Sequence, residues 1–218
     1  MAEDAISQPR TRRVSTKRAA PADTPSDAQA HAPAGRAEVE DTRTKLLRSA
    51  AAEFIEHGFA ATDTNRIARR AGFAPQTFYR WYKDKVDIFI QVYLAWEEAE
   101  TAILSELMVR QSTSLQIAEA YAEGHRSFLI FRRHLRQLAY EYPEVRQARA
   151  DSRKRHIARI QQWQPRLQAS EEEIASILLQ LERLCDAIAE SEFADMGLSD
   201  QGALHMAAHL IDRLRTEH

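Results

Sequence analysis

From Asp41 onward the apolar residues recur every three to four positions, and no stretch alternates polar and apolar residues long enough to argue for a strand. Leu47, Ala50, Ala51 and Phe54 mark a first helix that Asp41 or Thr42 can cap and Gly58 can end. A short second helix follows Thr62–Asp63–Thr64, buries Ile67, Ala68 and Ala71, and stops at Gly72. A third opens at Pro75, whose missing N–H costs nothing at a first helical position, and is expected to end near Tyr82. Asp84 can cap a long fourth helix from about Lys85 to Met108.

The pattern then predicts helices over about 114–131 and 134–141, one opened by Pro143 and running to about Leu167, one behind the Ser170–Glu173 capping box, and a last one from Ser199–Asp200 to about Arg215. The expected fold is all-α, with about nine helices. Residues 1–40 differ: they are rich in Ala, Pro, Ser, Thr and charge, lack aromatic residues, and predict a disordered tail. Arg10, Arg12, Arg13, Lys17 and Arg18 in that tail form a basic cluster, read either as solvated charge or as an arm that touches nucleic acid. The expected division is a tail over 1–40, a small helical domain over 41–86, and a larger helical body over 87–218.

Charge sharpens this division. The net charge of −2 hides a segment, 41–85, with nine basic and five acidic residues, joined to a body, 86–218, with fifteen and twenty-one. A basic head on an acidic body fits one part that faces DNA and one that does not. Met1 to Arg10 holds no apolar core segment, so no signal peptide is expected. No apolar run approaches the roughly 20 residues that span a bilayer, and the single cysteine, Cys185, suits a reducing cytoplasm.

Two short helices joined by a tight turn at Gly72 have the spacing of a helix-turn-helix, whose second helix enters the major groove. On that helix Phe78 and Tyr82 can face the core, while Gln76, Tyr79, Arg80 and Lys83 share the opposite face. Gln can pair with adenine, Arg with guanine, and the Thr77 methyl can pack on thymine. Lys85, at a helix start, can hold a phosphate with charge and dipole together.

The segment TRTKLLRSAAAEFIEHGFAATDTNRIARRAGFAPQTFYRWYKDKVDIF, residues 42–89, resembles the N-terminal domain of the TetR family of transcriptional regulators. The likeness lies in the apolar first helix closing on EHGF, the TDTNRIARRAG segment, and TFYRWYKDK in place of a more usual TLYRHFPSK. It implies phosphate contacts for Thr64, Tyr79 and Lys85, and base contacts for Asn65, Gln76, Thr77, Arg80 and Trp81. Ala74 stands where the family often has a capping serine, and Trp81 replaces a common histidine. The resemblance further implies a cytoplasmic homodimer that binds an inverted-repeat operator in double-stranded DNA and, as a repressor, releases it when a small-molecule effector enters the body. An activator, or a helical interaction protein that keeps the domain shape without specific DNA binding, remain as alternatives.

In the body, Trp96, His125, Phe128 and Trp163 are the candidates for the effector pocket, against the plainer reading that each is ordinary core. Ile174, Leu178, Leu181, Cys185 and Ile188 give a 4-3-4-3 stripe, and Leu204, Ala207, Ala208 and Ile211 a second. They are expected to form a four-helix dimer interface, with an intramolecular core as the alternative. His205 and His209 lie four apart but lack further ligands, and no phosphate loop or nucleophile elbow occurs. No enzyme activity, metal or cofactor is therefore expected. The basic run of Arg146, Arg149, Arg153, Lys154, Arg155 and Arg159 reads as a face paired with nearby acids, or else as a site for an anionic effector.

Overall fold

The structure, a computed structural model, describes residues 41–215, so the expectations for the tail over 1–40 and its basic cluster lie outside the described residues. All ten regular elements among the described residues are helices: α1 Thr42–His57, α2 Thr64–Arg70, α3 Pro75–Phe78, α4 Lys85–Val109, α5 Ser114–Ser127, α6 Leu129–Glu141, α7 Pro143–Trp163, α8 Glu171–Ala189, α9 Glu192–Asp195 and α10 Gln201–Asp212. The starts follow local chemistry. Side chains of Asp41, Asp63 and Asp84 accept the N–H groups of Thr44, Arg66 and Asp87, satisfying orphan donors of α1, α2 and α4. Thr113 with Gln116, and Ser170 with Glu173, form reciprocal capping boxes on α5 and α8.

Four boundaries differ from the periodicity. The third helix stops at Phe78, and the chain reaches Tyr82 through turns in which the N–H groups of Arg80 and Trp81 bond the carbonyls of Thr77 and Phe78. The expected helix over 114–131 breaks at Phe128 instead, and α6 begins at once. No glycine or proline marks that break; it turns Phe131, Leu135 and Leu138 toward α1 and α4 while α5 keeps its own face on α8 and α10. Helix α7 ends at Trp163 because Gln164 precedes Pro165, whose ring disfavours helical geometry in the residue before it. The tenth element, α9, is one turn long, too short to leave a periodic signal, and follows Ser191 in the left-handed region at φ 63°.

One apolar core runs from the helix-turn-helix into the body. Phe54, Phe59 and Phe89 pack edge to face or stacked with centroids 5.2–5.8 Å apart, and Phe89 stacks on Phe131 of α6 at 4.5 Å. Gly58 permits the seam: its φ of 77° favours glycine, and a Cβ there would run into the His134 ring of α6. A second core joins α5, α8 and α10 through Ile117, Ile174, Ile177, Leu181, Ala207 and Ile211. No helix among the described residues is long and apolar enough to cross a membrane.

Candidate nucleic-acid interface and ligand cavity

Helices α2 and α3 are held by an apolar underside and a set of ion pairs. Ile67, Ala68, Phe78 and Tyr82 are buried, and the Tyr82 hydroxyl donates to the Arg43 carbonyl of α1 at 3.1 Å. Gly72, at φ 81°, makes the left-handed turn between the two helices. Buried Glu53 of α1 pairs with Arg66 and Arg70, and Arg70 also forks onto Glu56. The Arg70 hydrogen bond holds the Glu56 carboxyl below the usual range.

This underside leaves a polar outer face. Asn65, Gln76, Tyr79, Arg80, Trp81 and Lys83 are exposed, while Thr64 and Thr77 are half-buried. The Thr64 and Tyr79 hydroxyls lie 2.9 Å apart in a hydrogen bond, which places the two side chains expected to touch phosphates side by side. Ala74 provides no side-chain cap, and Pro75 opens α3, in keeping with the sequence.

Lys85 is placed differently from a simple surface cation. Its Nζ donates to the carbonyls of Phe59 and Thr62 at 2.8 and 2.9 Å and sits 4.1 Å from the Phe59 ring centroid. Burial lowers its pKa, with Asp63 opposing in part. The ammonium thus fastens the α1–α2 loop to the start of α4. Lys85→Met should lower unfolding free energy by about 1–3 kcal/mol in urea denaturation; an unchanged midpoint would remove this fastening role.

In the body, α4, α5, α7, α8 and α10 enclose a cavity of about 140 Å³. Leu104, Met108, Ile117, Ile160, Leu178 and Ile211 dominate its wall, and Glu100, Tyr121, His156 and Arg159 add polar groups. A smaller space of about 30 Å³ adjoins it through Glu100, Tyr121 and His156, which line both. Of the sequence candidates, Trp163 lines the larger cavity and Trp96 the smaller. His125 and Phe128 line neither. His125 is fully buried, with Nδ1 2.9 Å from an Asp186 oxygen, and Phe128 packs on Trp96 with centroids 5.5 Å apart. Helical position alone did not reveal which face these side chains take. Glu100, Leu104 and Met108, four apart on α4, carry the sequence signal for this wall.

A buried ionic network lies beside the cavity. Asp186 of α8 accepts from His125, from Arg132 Nε at 2.7 Å and from Arg136. Burial pushes its carboxyl up, but the His125 hydrogen bond and the Arg132 guanidinium outweigh that and hold it well below the usual range. Burial lowers the pKa of His125, so its neutral ring donates through Nδ1. The basic run of α7 is largely paired: Arg149 and Arg153 each reach Glu182 at 2.7 Å, Arg155 reaches Glu97 at 3.2 Å, and Arg159 donates to Thr101.

The residues of the expected dimer stripe pack largely within the chain. Ile174, Leu181, Cys185 and Ile188 are buried within the chain, and Leu178 packs against the same core, lining the cavity. Ala208 and Ile211 are buried too, and Leu204 is half-buried. A single apolar stripe fits an intramolecular core and an interface equally well, and periodicity does not choose between them. The outward face of α8 and α10 instead shows Leu179 and Met206, 48% and 54% exposed, with Met196 and Leu198 exposed in the connection before α10. His205 and His209 are also exposed there, and among the described residues no cluster of three or more metal-ligating side chains occurs. Burial pushes the Cys185 thiol up to about 12, so it stays an inert thiol.

A two-helix unit with a tight glycine turn, a buried apolar underside and an exposed Gln/Arg/Tyr face, carried on a larger helical body, has the arrangement of a helix-turn-helix. Residues 46–92 match the family model described as bacterial regulatory proteins, tetR family. No curated protein matches the sequence. The fold is similar to a structure assigned to TetR-family transcriptional regulators from Rhodococcus sp., at TM-score 0.62 and 16% identity over 80% of this chain and 98% of that one. It is also similar to the fatty acid degradation regulator FadR of Bacillus halodurans, at TM-score 0.57 and 12% identity over 78% and 94% of the two chains. The multidrug binding protein EbrR in complex with imidazole gives TM-score 0.59 and 14% identity over 78% and 95%.

Proposed function

We propose that the protein is a cytoplasmic repressor that binds an inverted-repeat operator as a homodimer and releases it when a small molecule occupies the α4–α10 cavity. The observation that carries the reading is the exposed Gln76 and Arg80 beside the bonded Thr64–Tyr79 pair, two base readers flanked by two phosphate holders. In this reading Asn65, Thr77 and Trp81 extend the contact with DNA. The dimer forms through the outward faces of α8 and α10, so that a twofold axis sets two reading helices on successive major grooves.

Release is a shift between dimer states with different spacing of the reading helices, and an effector acts only by favouring one of them. Helix α4 supports such coupling, since Lys85 fastens it to the DNA-binding domain and Glu100, Leu104 and Met108 line the cavity. Selection of duplexes from a random library by the purified protein tests the reading and should return an inverted repeat. On that repeat, Gln76→Ala and Arg80→Ala should each cost about 1–3 kcal/mol of binding free energy in fluorescence anisotropy, with dimerisation unchanged. Failure to enrich any duplex at low salt would overturn the proposal.

A further inference from the structure

The cavity wall is mostly apolar, and among the described residues Glu100 is the one carboxylate that lines it. Glu100 is 9% exposed and lines both the large cavity and the small one, and its oxygen Oε1 has no hydrogen-bond partner among the described residues. The carboxyl lies against the backbone of α5 at Gly124, where a Cβ would come within 3.2 Å of Oε1. A buried polar atom without a partner is costly, and a ligand that supplies one removes that cost.

The two arginines of the same cavity are already engaged. Arg159 donates to the Thr101 hydroxyl at 2.8 Å, and Arg215 to the Ser112 carbonyl and the Ser114 hydroxyl at 2.9 and 3.1 Å. The unmatched group is an acid, and the ligand that matches it brings a donor or a positive charge.

We propose that the cavity binds an apolar amine, its hydrocarbon against Leu104, Met108, Ile117 and Ile211 and its ammonium paired with the Glu100 carboxylate. This rests on the reading of the cavity as the effector site. Burial pushes the Glu100 carboxyl up to about 8, with Arg132 opposing and Glu97, Glu182 and Asp186 adding to the rise. The charged and titratable groups around it are Glu97 on α4, Tyr121 on α5, Arg132 on α6, His156 on α7, and Glu182 and Asp186 on α8. At pH 7 the empty site therefore holds a neutral acid. A primary ammonium, charged at pH 7 as lysine is, enters as the cation, and the Glu100 proton passes to the buffer as the ion pair forms.

Calorimetry on the full chain with octylamine, 1-octanol and octanoate tests this, in two pH 7 buffers of different ionisation enthalpy. Octylamine should bind at least tenfold more tightly than octanol and release about one proton per amine bound. In Glu100→Gln the preference and the proton release should vanish, while octanol binding persists and shows that the cavity is intact. Preference for octanoate, octylamine binding without proton release, or an unchanged preference in Glu100→Gln would overturn the proposal. Binding of none of the three would overturn it as well, whether or not duplex selection succeeds. Amine binding without duplex selection would uphold it and count against the regulator reading alone.

Discussion

Asp186→Ala is expected to lower the unfolding free energy by about 3–5 kcal/mol, the typical result of breaking a buried charge pair. The substitution leaves Arg132, 5% exposed, with only the Glu182 carboxylate 3.5 Å away, and removes the partner of buried His125. Urea denaturation should show a lower midpoint with an unchanged slope. The network also has a pH signature. The native Asp186 carboxyl titrates below the ordinary aspartate value of 3.8, so its contribution is complete above that value and is lost as pH falls through the native one. Asp186→Asn should flatten that acid-side loss of stability. An acid limb with the same slope in wild type and Asp186→Asn would show that other carboxylates govern it.

Leu179→Glu with Met206→Glu should turn the proposed dimer into a monomer without unfolding it. Hot-spot side chains at an interface centre cost about 2 kcal/mol or more when lost, so if both act as hot spots the pair should raise the dimer dissociation constant roughly a thousandfold. Both side chains are about half exposed on the outer faces of α8 and α10. Leu181→Glu, two positions along α8 on its inner side and 5% exposed, should instead lower the melting temperature, because it places a carboxylate in the core. Sedimentation and thermal melting together separate the two outcomes. A dimer that survives the double substitution would locate the interface elsewhere on the surface.

The all-helical fold and the DNA-facing unit were legible because their signals are local. Asp63, Gly72 and Pro75 fix where α2 and α3 start and turn, and the Phe78/Tyr82 pair declares which side is buried. The role of Lys85 was less legible, since the carbonyls it meets belong to Phe59 and Thr62, more than twenty positions away. The dimer face and the cavity depend on which side of an amphipathic helix meets which neighbour. For α8, the residues Ile174 to Ile188 carry the stronger apolar signal and take the inner position, leaving Leu179 outside. His125 looked like a pocket residue until Asp186, sixty-one positions away, supplied its partner.

The Phe89–Phe131 stack carries a consequence for rebuilding this protein from parts. Regulators with interchangeable heads invite cut-and-paste chimeras, and a cut near residue 86 would look natural from the sequence. Here the head has no private interior: Phe54 and Phe59 lean on Phe89, and Phe89 leans on a helix that begins at Leu129. A head transplanted without the first turns of α4 and the matching face of α6 would carry an open aromatic wound in place of a floor. The transferable unit is therefore discontinuous in sequence, and operator specificity in this scaffold is more safely exchanged side chain by side chain on α3 than domain by domain.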